Sequence, residues 1–406
     1  KTVRPLPVLL ILGACDGATP HRPESASGSP APASTPSAFG PPAPAPTFAL
    51  QAKTLDCGNY FGCSIAAGKL ACWGYNQFGQ LGSGRLAYPA RGRALVAVPS
   101  PVGITIGLTH ACALTGEGAV YCWGTSSGGA LGDGVLNPPD APTSRIVRPT
   151  KVEGLGARAV DLDAGSAHTC VVLEDGAAAC WGENHSGVLG TEASSTAKPV
   201  RIAGVAGAVE IATSDALTCV RSAIGEVSCW GRKVTVPQRL EGLCARQLAV
   251  ASGGACALEC TGAVSCWGSL PGFGGAAPSP KPKEGFRDVA EIRGGLAHFV
   301  ARDRAGRVVT WGGNDSGQLG NGKPSDWTSA EPDSPVVLET PWKAQAVCAN
   351  GIVARPDGKA YLRPATFVDT GTSCARSTEG EAYCWREPDL DYVPKTAREM
   401  RVRRAI

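Results

Sequence analysis

The chain is poor in the residues that fill large cores and in those that carry acid–base chemistry. Aromatic residues make up 6% of its 406 residues, and it has one methionine and five histidines. An excess of charge of either sign is also lacking, because 38 lysines and arginines stand against 35 aspartates and glutamates, a formal net charge of +3. This balance gives no reason to expect nucleic acid or an acidic membrane surface as the main partner.

The motifs of common catalytic and metal sites are missing as well. The sequence contains no Gly-Lys-Ser/Thr phosphate loop, no His-Glu-x-x-His, no aspartate-rich calcium loop and no Cys-x-x-Cys. His110, His168 and His298 fall at one recurring position, which favours a structural role. Residues 124–128 match the Gly-x-Ser-x-Gly nucleophile pattern, but that motif needs a strand-turn-helix context, so we interpret the match as a coincidence. We predict no enzyme activity, no cofactor and no metal.

The N-terminus has an apolar run, residues 6–14, that is too short to span a bilayer. It leads into Leu-Gly-Ala-Cys at residues 12–15, which resembles the lipobox of bacterial lipoproteins. We predict that residues 1–15 are a lipoprotein signal peptide and that Cys15 is lipidated; an ordinary signal peptide cleaved nearby is the alternative. Residues 16–50, rich in Pro, Ala, Ser and Gly, predict a disordered spacer. The protein is therefore expected to be exported and lipid-anchored to the bacterial cell envelope or outer surface, with no other membrane contact.

Glycine and proline, at 53 and 32 residues, are abundant and indicate many short strands joined by turns. From residue 51 onward one unit recurs, in which two short apolar stretches flank a glycine-containing turn. Eight such hairpins occur, with these turn glycines: Gly68, Gly118, Gly176, Gly225, Gly262, Gly306, Gly358 and Gly380. Seven end in tryptophan: Trp73, Trp123, Trp181, Trp230, Trp267, Trp311 and Trp385.

A lone hairpin is marginal in water, and radial stacking into a closed ring buries the hairpin faces and removes exposed sheet edges. We therefore predict an all-β fold, a β-propeller over residues 51–394, followed by a basic C-terminal tail at 395–406. The last two hairpins are too close in sequence for two full blades, so we expect them to share one closing blade. This gives seven blades, with an incomplete eighth as the alternative count.

The segments after the tryptophans carry a specific resemblance. Residues 73–82 and 311–320 both read Trp-Gly-x-Asn-x-x-Gly-Gln-Leu-Gly, which resembles the signature of the regulator-of-chromosome-condensation repeat. Residues 181–190 keep most of it, and residues 123–132 depart further. The repeats at Trp230 and Trp267 lack the Gly-Gln-Leu-Gly tail. The resemblance covers roughly residues 51–390 and implies a bacterial secreted lipoprotein-type member with a propeller fold. It implies little about activity, because the shared residues are structural ones.

The cysteines recur with the hairpins. Five pairs are ten residues apart, which fits a three-residue turn ending in a left-handed glycine, and Cys63 and Cys72 are nine apart, which fits the two-residue turn Ala67-Gly68. Both turns place the two cysteines opposite each other at about 4.5 Å, a span that a disulfide can bridge. We predict one hairpin disulfide in most blades, and the ten-residue pairs are Cys112 with Cys122, Cys170 with Cys180, Cys219 with Cys229, Cys256 with Cys266, and Cys374 with Cys384.

Besides Cys15, four cysteines lie outside these pairs, and three pairings of them are conceivable. Cys244 and Cys260 are close in sequence and form one possible disulfide. Cys57 and Cys348 form the other, which would join the first and last blades across the ring closure.

Three long insertions are the candidate partner-binding segments, because propellers bind through rim loops. Arginine and aromatic residues, the types enriched at interface hot spots, occur in all three. Residues 85–101 contain Tyr88, Arg91 and Arg93; residues 135–149 contain Arg145 and Arg148; residues 323–341 contain Trp327.

These features predict an envelope-tethered protein-interaction scaffold that binds an unidentified protein or glycan through rim loops. A secreted enzyme inhibitor is one alternative, since the fold resembles a secreted bacterial propeller that inhibits β-lactamases. A hydrolase or lyase with a rim pocket, using Glu183 or His185, is another. Guanine-nucleotide exchange, which the nuclear family member performs, is not expected of an exported protein, since the GTPase would be in another compartment.

Overall fold

A computed structural model of the chain describes most of the repeat region. The described residues are 54–58, 61–86, 94–136, 145–268, 277–286, 288–313, 319, 335–338, 344–349, 359–360, 373–377, 382–385 and 400–401, the last four of these segments and 344–349 by their backbone only. The predicted signal peptide and spacer therefore lie outside the described residues. Every regular element in the described part is a strand.

Twenty-four strands form six four-stranded antiparallel sheets, and each sheet is built from four strands consecutive in sequence. We number these blades 1 to 6. Blade 1 is β1 (Leu55–Cys57), β2 (Phe61–Ala66), β3 (Lys69–Gly74) and β4 (Ala94–Val96); blade 2 is β5 (Pro101–Ile106), β6 (His110–Thr115), β7 (Val120–Thr125) and β8 (Arg145–Lys151); blade 3 is β9 (Ala159–Ala164), β10 (His168–Leu173), β11 (Ala178–Glu183) and β12 (Ser195–Arg201). Blade 4 is β13 (Ala208–Thr213), β14 (Leu217–Ser222), β15 (Val227–Gly231) and β16 (Val234–Leu240); blade 5 is β17 (Ala245–Ala251), β18 (Gly254–Glu259), β19 (Val264–Gly268) and β20 (Ala277–Lys283); blade 6 is β21 (Val289–Gly294), β22 (His298–Asp303), β23 (Val308–Gly312) and β24 (Val336–Leu338).

The remaining five strands do not form a complete blade. They are β25 (Ala344–Ala349), β26 (Lys359–Ala360), β27 (Ser373–Ser377), β28 (Ala382–Trp385) and β29 (Met400–Arg401). A three-stranded sheet has the order β25-β27-β28, and β26 pairs with β29. The first strands of successive blades contact one another, and β25 contacts both β21 and β1, so the three-stranded sheet closes the ring.

The prediction of a propeller is confirmed, but the predicted seven blades are not matched: six blades are complete. We expected the last two hairpins to share one blade. Instead β25 pairs directly with β27, and in the described part of this region β26 pairs with β29. Met400 and Arg401, within the predicted basic tail at 395–406, pair with β26.

The cores lie between blades rather than within them. Five buried apolar clusters each combine side chains of two neighbouring blades, and each includes the tryptophan of the second blade. Trp123, for example, packs with Phe61 and Leu81 of blade 1. In the part of the chain that the structure describes, there is no helix long and apolar enough to cross a membrane.

Candidate functional site

The antiparallel register gives the ring two different faces. In blade 2, Ile106 at the end of β5 pairs with Ala111, and His110 at the start of β6 pairs with Gly124 at the end of β7. The loops from first to second strand and from third to fourth strand therefore emerge on one side, which we call the loop face. The hairpin turns between second and third strands, such as that at Gly118, and the links between blades lie on the opposite side, which we call the turn face.

The loops after the tryptophans are held by the repeat signature itself. Asn76 accepts a hydrogen bond from the Leu81 N–H at 3.0 Å and donates to the Arg85 carbonyl, and Asn184 does the same for the Leu189 N–H at 2.8 Å. In blade 2 Ser126 takes this place. A serine is shorter than asparagine, and its hydroxyl lies 3.4 Å from Asp133 Oδ1 and 3.4 Å from the Val135 carbonyl within the loop.

The same loops connect neighbouring blades through tryptophan. The indole N–H of Trp123 donates to the Gln80 carbonyl at 2.7 Å, and each later bond of this kind joins a tryptophan to the preceding blade's loop. Trp181 donates to Ala130 at 2.9 Å, and Trp230 donates to Val188 at 2.7 Å. Among the described residues the buried Trp311 indole nitrogen has no hydrogen-bond partner, and the blade before it is one of the two whose repeats lack the Gly-Gln-Leu-Gly tail.

A cavity of about 100 Å³ lies between the inner strands at the loop-face end of the ring. Its lining includes five carboxylates, and four of them, all but that of Asp215, hold neighbouring blades together. Each of the four accepts a hydrogen bond from a backbone N–H of the next blade's inner strand, and we call these contacts inter-blade latches. The latches join Ile106 N to Asp56 at 2.8 Å, Ile211 N to Asp161 at 2.9 Å, Thr213 N to Asp163 at 2.8 Å and Leu248 N to Glu210 at 3.1 Å, and Gln247 receives Ile292 N at 2.9 Å.

The recurring histidines also bridge blades. His110 Nε2 lies 3.0 Å from the Thr169 hydroxyl and His168 Nε2 lies 2.7 Å from the Thr213 hydroxyl, in each case on the next blade. Both rings and that of His298 are buried. Burial lowers the pKa of His110 to about 3, helped by His168, and lowers the pKa of His168 to about 4 against the opposing effect of Asp163. Burial lowers the pKa of His298 to about 3. The burial of the three histidines, and the inter-blade contacts of His110 and His168, agree with the structural role that the sequence predicts for this recurring position.

The candidate enzyme residues are connected by hydrogen bonds in the order serine, glutamate, histidine, whereas a catalytic pair needs the serine directly beside the histidine. Ser127 donates to Glu183 Oε1 at 2.7 Å, and His185 Nε2 lies 3.2 Å from Glu183 Oε2, so the carboxylate separates the hydroxyl from the imidazole. Ser126, the serine at the centre of the nucleophile pattern, is fully buried and is followed by a turn. This cluster links blades 2 and 3 on the loop face. Among the described residues no group of three or more His, Cys, Asp or Glu is placed to hold a metal ion.

Hairpin disulfides are present in the first five blades, as the spacing predicted. Their cysteines face each other in register with Cα atoms 4.0–4.1 Å apart, in the bonds Cys63–Cys72, Cys112–Cys122, Cys170–Cys180, Cys219–Cys229 and Cys256–Cys266. Cys244 is bonded to Cys260, which joins the link before blade 5 to that blade's hairpin turn, both on the turn face. Cys57 is also disulfide-bonded and buried. The side chains of Cys348, Cys374 and Cys384 lie outside the described part, although Cys374 stands opposite Cys384 in register.

Of the six predicted partner-binding residues, one has a described side chain. Arg148 is exposed on the outer strand β8, and it lies against the loop of blade 1, since a Cβ on Gly84 would be 2.7 Å from its Nε. Arg145 begins the same strand, and its side chain lies outside the described part. The four others also lie outside the described residues: Tyr88, Arg91, Arg93 and Trp327. Sequence reasoning missed the latches, although their signal was visible as polar residues that recur within the apolar inner strands.

Two family models match the chain, both described as the regulator of chromosome condensation (RCC1) repeat. One matches residues 102–129 and 159–188, and the other matches residues 117–172. The E3 ubiquitin-protein ligase HERC2 of Homo sapiens is 31% identical over 290 residues, and the Mus musculus protein matches equally. The match covers 63% of this chain but 6% of each of those proteins.

Solved structures match over more of the chain. Human WBSCR16 matches with a TM-score of 0.64 and 23% identity, over 74% of this chain and 85% of that one. Prp20p from Saccharomyces cerevisiae matches with a TM-score of 0.62 and 18% identity, over 73% and 80%. At these identities the likeness shows the fold alone. The repeat models, which match within residues 102–188, and the shared architecture support an RCC1-repeat β-propeller.

Proposed function

We propose that this propeller is a protein-binding scaffold that engages its partner through the loop face. The observation that carries the proposal is where loop length varies. The third strand ends at Gly74 in blade 1 and the fourth begins at Ala94, whereas in blade 4 only two residues separate Gly231 from Val234. The long insertions in blades 1, 2 and 6 all join third to fourth strands, so both ends of each are on the loop face.

Variation in loops on a constant frame is the pattern by which propellers acquire partners. The frame here includes the residues that could otherwise suggest catalysis: His110 and His168 bridge blades, and Glu183 holds Ser127. This supports a binding role rather than an enzymatic one. The near-balanced charge of the chain supports a protein partner over nucleic acid. Prp20p, which shares the fold, is a protein with described binding to Gsp1p and histones.

Shortening the insertions is expected to abolish partner binding while the fold persists. One variant replaces residues 87–93 by a two-residue linker and a second variant replaces residues 137–144 in the same way, so that each loop approaches the short one of blade 4. Envelope proteins captured by the full chain and by each variant are identified by mass spectrometry. The partner enriched by the parent chain should be lost from both variants. An insertion of six Gly and Ser residues after Ile224, on the turn face, is the control and should retain the partner. Capture that survives both loop variants, or that the control insertion abolishes, would contradict the proposal.

We also propose that the protein is exported and anchored through a lipid on Cys15. The lipobox-like segment supports this, and so do the disulfides, which persist in oxidising compartments. Cells fed an alkyne-bearing fatty acid should label the parent protein, and Cys15→Ser should remove the label and move the protein out of the membrane fraction. Labelling that survives the substitution, or a parent protein without label, would refute the anchor.

A further inference from the structure

We propose that the loop face of blades 1 to 3 binds a segment of a protein partner that combines apolar and acidic side chains. The proposal rests on the proposed function and adds the chemistry of the partner. The surface, which we call the apolar–cationic strip, consists of the apolar residues Leu86, Val135 and Leu136 and the cations Arg148 and Lys198.

Exposed apolar side chains are concentrated on this part of the ring. The described residues include nine exposed large hydrophobic side chains, and four of them are on the loop face of blades 1 and 2: Leu86, Leu108, Val135 and Leu136, exposed by 40–54%. Four of the other five are on outer strands, and Ile224 is on the turn face. Scattered single residues of this kind need no explanation, whereas a local group on a loop-bearing face indicates an interaction site.

The strip has the same construction at two successive blade junctions. The Gly84 N–H of blade 1 donates to the Val147 carbonyl of blade 2 at 2.7 Å, and the Gly134 N–H of blade 2 donates to the Ala197 carbonyl of blade 3 at 2.9 Å. The residue after each carbonyl is a cation, Arg148 or Lys198. A Cβ on Gly84 would be 2.7 Å from Arg148 Nε, and one on Gly134 would be 3.4 Å from Lys198 Cε.

Each junction therefore places a cation beside a glycine that is followed closely by exposed apolar residues. Leu86 comes two residues after Gly84, and Val135 and Leu136 come directly after Gly134. A bound segment would meet an apolar contact and a positive charge at the first junction and the same pair again one blade further on. A partner with apolar and acidic side chains at matching spacing satisfies both.

The cations of the strip are not neutralised by this chain's described residues. Arg148 and Lys198 are exposed, and neither forms an ion pair among the described side chains, in contrast to Arg201 and Arg239, which pair with carboxylates. Unpaired charge at an interface rim selects partners of the opposite sign. Apolar anchors beside such charge favour a peptide over a sulfated glycan or a lipid headgroup, since those ligands offer anionic groups without apolar side chains at the same spacing.

The test is a peptide-display selection on the full oxidised chain, with 12-residue random peptides as probes. Enriched sequences should combine Asp or Glu with Leu, Ile or Phe. A fluorescent copy of an enriched peptide should bind at least tenfold more weakly to Leu86→Ser/Leu136→Ser and to Arg148→Glu/Lys198→Glu. A peptide with its acids changed to lysine should recover binding on the charge-reversed chain. Ile224→Ser and Arg304→Glu, also exposed but on the turn face, are the matched controls and should bind like the parent.

Several results would overturn the proposal. They are a selection without acidic and apolar enrichment, affinity unchanged in both double variants, or equal losses in the turn-face controls. Heparin and anionic phosphatidylglycerol vesicles are tested as further probes. If either binds in a way that depends on Arg148 and Lys198 but not on Leu86 and Leu136, the ligand is a purely anionic one and not a peptide. If the partner captured in the loop experiment tolerates both double variants, this proposal fails while the loop-face function stands.

Discussion

Replacing Cys57 and Cys348 together by alanine is expected to lower the free energy of unfolding by more than the loss of any other cysteine pair. The bond would close a loop of nearly 300 residues, and the loop-closure entropy removed from the unfolded chain grows with loop length. On that scale the bond contributes about 5 kcal/mol, compared with at most about 3 kcal/mol for a hairpin bond that closes ten residues.

The latch geometry, like the sequence, predicts Cys348 as the partner of Cys57. Asp56 and Asp163 stand opposite the first cysteine of their hairpins, and each contacts the next blade one residue beyond the equivalent position. At the ring closure, Cys348 stands opposite Cys374 in the same register. The residue one beyond the equivalent position in blade 1 is Cys57. Cys57 is disulfide-bonded, and the twelve cysteines of the six described bonds are already paired, so we expect a covalent bond in place of a latch at the closing junction.

Urea unfolding of the double variant measures the effect, and a tryptic map of the unreduced protein checks the connectivity. The map should contain a peptide pair that joins Cys57 to Cys348. The matched control replaces Cys244 and Cys260, whose bond closes a short loop and should contribute less. A map that joins Cys57 to Cys374 or Cys384, or a double variant as stable as the control, would show that the ring is closed differently.

Acidification from pH 6.5 to pH 5 is expected to destabilise the ring by several kcal/mol. In the folded protein burial holds the pKa of His110 and His298 at about 3 and that of His168 at about 4. In the unfolded chain histidine titrates near its ordinary value of about 6.5. Because these folded values are lowered, the stability is fully present above pH 6.5 and is lost as pH falls toward 4 and then 3.

The size of the effect follows from proton uptake. Within this window each histidine binds a proton only when the chain unfolds, which costs about 1.4 kcal/mol of stability per pH unit. Three such groups give about 4 kcal/mol per unit, a large share of the 5–15 kcal/mol by which domains are typically stable. Urea unfolding at pH 7, 6 and 5 measures the slope.

Substitution separates the histidines from other acid-sensitive groups. His168→Gln should reduce the slope by about a third, even though the variant is less stable at pH 7. Ile224→Ser, at an exposed turn-face position with no titratable group, should leave the slope as in the parent. A parent protein equally stable at pH 7 and pH 5, or equal slopes in parent and His168→Gln, would contradict the account.

The cysteine geometry was predictable because a hairpin's register depends only on its turn. The nine-residue spacing of Cys63 and Cys72 predicts a two-residue turn, and Ala67 and Gly68 both have positive φ there. The ten-residue pairs predict a left-handed glycine, and Gly118 and Gly176 have φ of 79° and 78°. Local turn chemistry and side-chain alternation were sufficient.

The blade count and the latches were less accessible, since both depend on contacts between distant residues. The choice of partner for β25 cannot be read from a local pattern, because β25 pairs with β27, a strand more than twenty residues further along the chain. Asp161, Glu210 and Gln247 occupy one position of successive inner strands, so their recurrence was visible. Their role required knowing which backbone N–H of the next blade faces them.

The claim that the loop face binds the partner is tested most directly by amide hydrogen exchange on the full oxidised chain, with and without the captured partner. The account predicts slower exchange in the segments between third and fourth strands of blades 1 to 3 and around Leu108. Exchange in the turn-face hairpins at Gly118, Gly176 and Gly225 should be unchanged. Protection confined to those hairpins, or to the outer strands, would contradict it.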